Sequence, residues 1–169
     1  MDDNYIHFSI DGRDLKINKE TPEDIFMWKT HGPGRQGKLK KPYWFQPNIV
    51  TNENGYKLIY VAKKRYRLHR INYYAHNQTW NIHDSSMDNF IDHKDINITN
   101  NNIENLRVVT NQQNHFNRNC KGYSWDKSRQ KWQSRIKING KVKFLGRFNT
   151  EDEAHQAYLE AKKIFHIIE

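Results

Sequence analysis

The chain has 169 residues, of which 36% are hydrophobic and 28% charged, and its formal net charge is +9. This length allows one medium domain or two small ones, and the 13% aromatic content excludes a largely disordered chain. The positive charge favours a nucleic-acid partner over a membrane, because no long apolar run or basic amphipathic helix stands out. The single cysteine, Cys120, excludes an intramolecular disulfide and a cysteine-rich zinc site, and indicates a reducing, intracellular compartment.

Residues 1–54 are interpreted as an N-terminal extension. The run SIDGRDLKI predicts a hairpin that turns at Asp11-Gly12, since this pair permits positive φ angles. The run TPEDIFMW has the pattern of a helix start, with Thr21 as cap and Pro22 in the first turn. The stretch HGPGRQGKLKKP is expected to be a mobile basic loop, because its glycines and prolines break both regular structures.

Residues 55–119 are interpreted as the next domain. GYKLIYVA and RYRLH predict two short strands, followed by a helix at HRINYYAHN. FIDHKD and LRVVT predict a strand pair joined by a long loop, and Thr110 then starts a helix with Gln113 as its capping-box partner. Basic residues crowd the first of these helices and the strand before it, and the DNA-binding candidates there are Arg65, Arg67, His69 and Arg70. For His69, a phosphate contact and a structural hydrogen bond are both open.

Four residues around the strand pair supply the chemistry of phosphodiester hydrolysis. This reaction needs a base that activates water and a cation that neutralises charge on the phosphate. Asp92 and His93 are neighbours on a strand, so they can share one site only where the strand ends or twists. Asn105 lies at the end of the long loop, and Asn114 lies one turn into the following helix, where it can meet the aspartate.

The run FIDHKDINITNNNIENLRVVTNQQN resembles the core of the HNH, or His-Me finger, homing endonucleases, whose pattern runs roughly xDHxDxxxxNNxxxNLxxxTxxxN. The resemblance covers about residues 55–119 and implies a ββα-metal fold. It implies that His93 is the general base, that Asp92 and Asn114 bind one divalent cation, and that Asn105 holds the loop and so orients His93. Hard oxygen ligands favour Mg²⁺, with Mn²⁺ as a substitute and no zinc. One such centre cuts one strand, so a double-strand break needs a second chain or a second event.

Residues 120–169 are interpreted as a third, strongly basic domain. From Arg118 to Arg147 there are ten Lys or Arg residues and one acid, Asp126. KWQSRIKI and KVKFLGRF flank the turn pair Asn139-Gly140 and predict a hairpin. Thr150 then predicts a helix start, and small and apolar residues follow at helical spacing: Ala154, Ala157, Tyr158, Ala161 and Phe165.

This segment resembles the AP2/ERF-type DNA-binding domain over about residues 120–166, through its K-G-Y start, its W-x-x-x-I strand, its L-G-x-F run and its T-x-x-E-A-x-x-A-Y helix. The resemblance implies a three-stranded sheet that enters the major groove of double-stranded DNA. Alternation places Trp132, Ser134 and Ile136 towards the helix and Gln133, Arg135 and Lys137 on the opposite face. Gln133 and Arg135 are candidates for base edges, whereas phosphate contacts are expected from Lys121, Lys127, Arg129, Lys131, Lys141 and Lys143.

The sequence therefore predicts an α+β protein, with a ββα-metal nuclease core followed by a three-stranded antiparallel sheet packed on one helix. Its expected activity is metal-dependent cleavage of DNA. Abundant Asn, Lys and Ile with scarce Ala are typical of an AT-rich genome, such as many phages and viruses have. Two alternatives remain open: a non-catalytic DNA-binding regulator that uses the AP2-like domain, and an RNA-binding basic protein.

Overall fold

The N-terminal part of the chain is an antiparallel sheet. The computed structural model describes residues 3–30 and 41–168. Strands β1 (Tyr5–Ile10) and β2 (Arg13–Asn18) pair across Asp11 and Gly12, whose φ angles are 48° and 70°. Strands β3 (Ile25–Lys29) and β4 (Tyr43–Phe45) complete the order β1-β2-β3-β4. The hairpin predicted at Asp11-Gly12 is therefore confirmed.

The helix predicted at TPEDIFMW is wrong, because β3 occupies the second half of this run. Ile25 and Met27 lie opposite Ile17 and Leu15 of β2, and Thr21 only closes a turn by accepting a hydrogen bond from the backbone of Asp24. Pairing with β2 buries Ile25 completely, and this packing outweighs the local capping signal. The predicted loop HGPGRQGKLKKP lies outside the described residues except for its last two positions.

A second sheet and a helix follow, and they share one hydrophobic core with the N-terminal sheet. Strands β5 (Val50–Thr51), β6 (Lys57–Val61) and β7 (Lys64–Arg67) lead into helix α1 (Leu68–His76). The strands and the helix predicted here are confirmed. The core they form is made of apolar residues from both sheets and from α1: Phe8, Ile10, Leu15, Ile17, Ile25, Ile59, Val61, Leu68, Ile71, Ala75 and Ile82.

The predicted strand pair around the long loop is also present. Strands β8 (Phe90–His93) and β9 (Leu106–Val109) form a two-stranded sheet. A short 3₁₀ turn, Ile103–Asn105, ends the loop between them. Helix α2 (Asn111–Phe116) follows β9 and begins with the predicted capping box of Thr110 and Gln113.

The C-terminal part is a three-stranded antiparallel sheet packed on one helix. Its strands are β10 (Tyr123–Asp126), β11 (Lys131–Ile138) and β12 (Lys141–Phe148), in that order. Helix α3 (Glu151–Phe165) starts at the predicted cap, Thr150. Ile136, Tyr158 and Ala161 are the centre of the core between sheet and helix.

The chain divides into two compact units. The first comprises the residues up to Ser85 together with Ile91–Arg107, and the second comprises Ser86–Phe90 and the chain from Val108 onward. This division differs from the domains 1–54, 55–119 and 120–169 drawn from the sequence, because β1 to β4 share their core with α1. None of the helices in the described ranges is long and apolar enough to cross a membrane.

Candidate functional site

The Asp92-His93 pair lies at the C-terminal end of β8, inside the first unit. The strand ends at His93, and the exposed fractions of Asp92 and His93 are only 6% and 4%. His93 Nε2 lies 3.1 Å from Oδ1 of Asn101 in the loop that follows. An amide oxygen can only accept, so Nε2 donates this hydrogen bond, and a neutral imidazole then carries its lone pair on Nδ1.

Asn105 closes the long loop between β8 and β9. Its Nδ2 donates to Asp95 Oδ1 and to the backbone oxygen of Asn100, both at 2.8 Å, and its Oδ1 accepts from the backbone of Asp95 at 3.0 Å. The backbone of Lys94 also donates to the backbone oxygen of Asn105, at 2.8 Å. Hydrogen bonds from Asn100 and Asn105 lower the pKa of Asp95. These bonds agree with a loop-holding role, and the hydrogen bond to the His93 ring comes from another residue of the same loop, Asn101.

Three polar residues of this site, Asn72, Asn101 and Arg107, were missed in the sequence. Asn101 is one of three consecutive asparagines, and the pattern does not indicate which of them faces inward. Asn72 is fully buried on α1 between apolar neighbours, and its Nδ2 donates to the backbone oxygen of Asn101 at 2.7 Å. Burying an amide without a hydrogen-bond partner is unfavourable. An asparagine on the apolar face of a predicted helix therefore indicates a specific polar contact, and this was the feature of the sequence that pointed to Asn72.

Arg107 on β9 balances the charge of Asp92. Its Nε and Nη2 lie 3.1 and 3.0 Å from Asp92 Oδ2. Both side chains are mostly buried, with Arg107 retaining 22% of its side-chain exposure. The ion pair therefore fixes one carboxylate oxygen beside His93.

The donor atoms fit a hard divalent cation. A carboxylate has two oxygens with about four lone-pair sites, so Asp92 can bind Arg107 and a cation together. Across residues 3–30 and 41–168, no three His, Cys, Asp or Glu side chains are grouped as a metal site, so amide, water and phosphate oxygens would have to complete the shell. Asn114 belongs to the second unit, where it is half-buried on α2, and its contribution stays a prediction. His115, beside it, is exposed.

His69 packs against the catalytic candidate and is not on the surface. Its exposed fraction is 3%, and its ring centroid lies 4.9 Å from that of His93 and 5.4 Å from that of Tyr56. The guanidinium of Arg67 lies 4.7 Å from the centroid of the Tyr56 ring. This position fits a structural role and not the phosphate contact considered for His69. Burial, followed by the nearby His93, holds the pKa of His69 well below its usual value.

The burial of His69 predicts a loss of stability in mild acid. The unfolded state binds a proton near the ordinary histidine pKa of about 6.5, whereas the folded state resists it. Below that pH the unfolded state holds more protons, so the free energy of unfolding falls by up to about 1.4 kcal/mol per pH unit. Urea denaturation between about pH 7 and pH 5 should show this slope, and His69→Phe should reduce it. The exposed control His115→Gln should not; equal slopes for wild type and His69→Phe would contradict the prediction.

The remaining basic candidates of the first unit have different positions. Arg65 and Arg67 are exposed on β7. Arg70 is half-buried, donates to the backbone oxygens of Ile82 and Asp84 at 2.9 and 3.2 Å, and lies 4.7 Å from the ring of Trp80. Arg70 therefore braces the loop after α1, and the exposed basic side chains here are those of β7 and the turn before it.

The sheet face opposite α3 carries the polar residues predicted for it. Ser134 and Ile136 are buried, whereas Arg135 and Lys137 between and after them are exposed. Arg135 Nη2 donates to Gln133 Oε1 at 2.7 Å, and Gln133 Nε2 donates to Ser124 Oγ at 3.2 Å. We call the face that carries Gln133, Arg135 and Lys137 the outer face. It comprises these three residues, their cross-strand partners and the Asp126-Lys131 pair: Ser124, Asp126, Lys131, Gln133, Arg135, Lys137, Val142, Phe144 and Arg147.

Arg147 is an outer-face residue that the sequence did not single out. It lies opposite Gln133, donates from Nε to Asp126 Oδ2 at 3.2 Å, and lies 5.0 Å from the centroid of the Phe144 ring. The register of the predicted β11-β12 hairpin would have indicated that Arg147 lies on the same face as Gln133.

The candidates for phosphate contacts are spread over several surfaces. Lys143 lies opposite Ile136, on the α3 side of the sheet, with its amine 4.4 Å from the centroid of the Phe165 ring. Lys141 lies on the same side, opposite Ile138. Lys131 is half-buried and donates to Asn149. The remaining candidates are exposed: Lys121, Lys127 and Arg129.

Two groups of residues thus carry chemistry, one in each unit. The first is the buried Asp92-His93 pair with Asn101, Asn105 and Arg107 around it. The second is the outer face of the C-terminal sheet. Comparisons of the chain with protein families, with curated proteins and with solved structures find no match.

Proposed function

We propose that the protein is a metal-dependent DNA endonuclease of the HNH type. The observation that carries this proposal is the buried Asp92-His93 pair at the end of β8, with His93 Nε2 held by Asn101. A base, an anionic oxygen ligand and a loop fixed by Asn105 are then present within one unit. Hydrolysis of a phosphodiester by an activated water requires such a base and a ligand for the metal ion.

His93 acts in this proposal as the general base. Because Nε2 donates to Asn101, the proton of the attacking water goes to the lone pair on Nδ1. A positioned base of this kind contributes about 10²- to 10⁴-fold to the rate. Asp92, with Asn114 as the second ligand that the resemblance implies, would hold Mg²⁺. This cation would neutralise negative charge on the scissile phosphate and on the leaving oxygen, whose bond to phosphorus breaks as water attacks. Arg107 holds the Asp92 carboxylate in place through two hydrogen bonds to Oδ2.

The outer face of the second unit is the proposed surface for double-stranded DNA. Gln133 and Arg135 form one hydrogen-bonded row, and Lys137 continues it along β11. Arginine and glutamine read base edges in the major groove, whereas lysines mostly contact phosphates. Phe144 and Val142 are exposed on the same face and are suited to apolar contact with thymine methyl groups.

Asp92→Ala is expected to remove cleavage and its dependence on Mg²⁺, because the carboxylate proposed to bind the cation is lost. The same change leaves the Arg107 guanidinium without its carboxylate, so we also expect the free energy of unfolding to fall by roughly 1–3 kcal/mol. A Mg²⁺ titration of the nicking rate and urea denaturation measure the two effects. The double variant Asp92→Ala/Arg107→Ala should regain stability but not cleavage. Cleavage by Asp92→Ala that still responds to Mg²⁺ would remove this ligand from the proposal.

Arg135→Ala is expected to relax sequence preference at one base position by about 1–3 kcal/mol. Selection of bound sequences from a random DNA pool measures the preference of wild type and variant. Lys143→Ala is the matched control, because this lysine lies on the α3 side of the sheet, and its selected sequences should match those of wild type. Absence of any enrichment by wild type would show that the face adds only electrostatic affinity.

A non-catalytic regulator is the second candidate, favoured by the basic outer face, which would bind DNA without the Asp92-His93 centre. Incubation with supercoiled plasmid, with Mg²⁺ or with EDTA, separates the two functions. A nuclease produces open-circular plasmid in Mg²⁺ alone, whereas a regulator only retards the plasmid. Competition by single-stranded RNA at concentrations where duplex DNA does not compete would instead indicate an RNA-binding protein.

A further inference from the structure

The side chain of Asn101 is placed to control which nitrogen of His93 carries a proton. Asn101 and His93 are both buried, and Asn101 Oδ1 lies 3.1 Å from His93 Nε2. An imidazole in water exchanges its single proton between the two nitrogens, and a fixed acceptor at one nitrogen selects one tautomer. The acceptor here is at Nε2, so the lone pair is directed to Nδ1.

Asn101 is itself anchored from outside its loop. Asn72 of α1 donates from Nδ2 to the backbone oxygen of Asn101 at 2.7 Å, and Asn72 is fully buried. Within the loop, this peptide is held by local turns, such as the hydrogen bond that Asn101 N donates to the backbone oxygen of the exposed Thr99 at 3.1 Å. A packed helix restricts the peptide much more strongly, because its backbone is held by its own hydrogen bonds and by the core.

Asn101 and Asn105 therefore have separate tasks. The bonds of the Asn105 side chain go to Asp95 and Asn100, which lie within the loop. The Asn101 side chain bonds to His93 itself. Loss of Asn105 would loosen the loop as a whole, whereas loss of the Asn101 amide would remove the acceptor at His93 Nε2 with the loop still closed.

We propose that Asn101 is a positioning residue, anchored by Asn72, which holds His93 in the tautomer with its proton on Nε2. The effect on the rate rests on the proposed nuclease function, whereas the tautomer itself can be measured without cleavage. The neighbouring Asn102 provides a matched control, since it is the same residue type in the same loop but is exposed.

The test compares Asn101→Leu, Asn101→Asp and Asn102→Leu in the full chain. Asn101→Asp keeps an oxygen that can accept from Nε2, and the amide Nδ2 that it loses makes no hydrogen bond within the described residues. Imidazole ¹⁵N shifts are recorded at about pH 9, well above the ordinary histidine pKa of about 6.5. Steady-state nicking gives kcat and KM for the same proteins.

We expect a single Nε2-protonated His93 in wild type, Asn102→Leu and Asn101→Asp, and a mixture of tautomers in Asn101→Leu. We also expect kcat of Asn101→Leu to fall about 10- to 100-fold with KM unchanged, and Asn101→Asp to recover most of it. Wild-type ¹⁵N shifts in Asn101→Leu would overturn the proposal. If Asn101→Leu does not fold, Asn101→Asp decides: retained Nε2 protonation supports the proposal and its loss overturns it. A wild type that shows the tautomer but never nicks would refute the nuclease function and leave the positioning role standing.

Discussion

Replacing His93 with alanine is expected to abolish DNA nicking and to leave DNA binding nearly unchanged. The variant loses the base that accepts the proton of water, which accounts for about 10²- to 10⁴-fold in rate. His93 has an exposed fraction of only 4%, so its loss removes almost no surface that DNA could contact. Single-turnover nicking of supercoiled plasmid measures the first effect, and gel mobility of a labelled duplex measures the second.

His83→Ala is the control for this variant, because His83 is an exposed histidine of the same unit. Its nicking rate should stay within about twofold of wild type, since surface substitutions have small effects. A His93→Ala protein that nicks at the rate of His83→Ala would remove His93 from the role of general base. Loss of DNA binding together with nicking would point to a folding defect, which near-UV circular dichroism would reveal.

Gly122→Ala is expected to unfold the second unit. A Cβ atom at this position would lie 1.9 Å from Cγ of Tyr158, a core residue of α3, and the backbone φ of +72° is unfavourable for alanine. The backbone oxygen of Gly122 accepts from the backbone of Arg135 at 2.9 Å, so β10 cannot move away without breaking the sheet. Overpacking and backbone strain each cost about 1–3 kcal/mol, which is a large part of the stability of a small unit.

Gly140→Ala is the matched control for this prediction. Gly140 has a similar φ of +79°, but no heavy atom of the described residues, its chain neighbours aside, lies within 4 Å of the added Cβ. Only the conformational strain of about 1–3 kcal/mol applies there. Thermal unfolding followed by far-UV circular dichroism, with binding of duplex DNA as a second readout, compares the two variants. Equal losses in both variants would contradict the predicted collision with Tyr158.

The elements predicted correctly depend on residues that are close together in the chain. The Asp11-Gly12 and Asn139-Gly140 turns, and the caps at Thr110 and Thr150, each combine a few neighbouring residues. The helix predicted for TPEDIFMW was wrong because the structure of this run depends on β2, which supplies the pairing partners of Ile25 and Met27. Local capping signals indicate what a segment can do alone, and a sheet edge nearby can override them.

In the candidate site, too, features set by neighbouring residues were predicted, and contacts with distant parts of the chain were not. The strand end at Asp92-His93 was expected because the two neighbours can share a site only there, and the strand does end at His93. The loop-holding role of Asn105 was implied by the resemblance to HNH endonucleases, and the hydrogen bonds of Asn105 agree with it. The contact between Asn72 and Asn101 could not be predicted, because Asn72 lies on a helix that a long loop separates from β8. The burial of His69 depends on the same packing of α1. For this reason His69, a DNA-binding candidate in the sequence, lies beside His93 in the structure.

The most direct test of the nuclease proposal is the conversion of supercoiled plasmid by the wild-type protein in Mg²⁺. The account predicts open-circular product whose amount grows with time in Mg²⁺ or Mn²⁺ and stops on addition of EDTA. His93→Ala, prepared in parallel, should give none, which excludes a contaminating nuclease. Plasmid that stays supercoiled in Mg²⁺ and in Mn²⁺, at protein concentrations that retard it on a gel, would contradict the account.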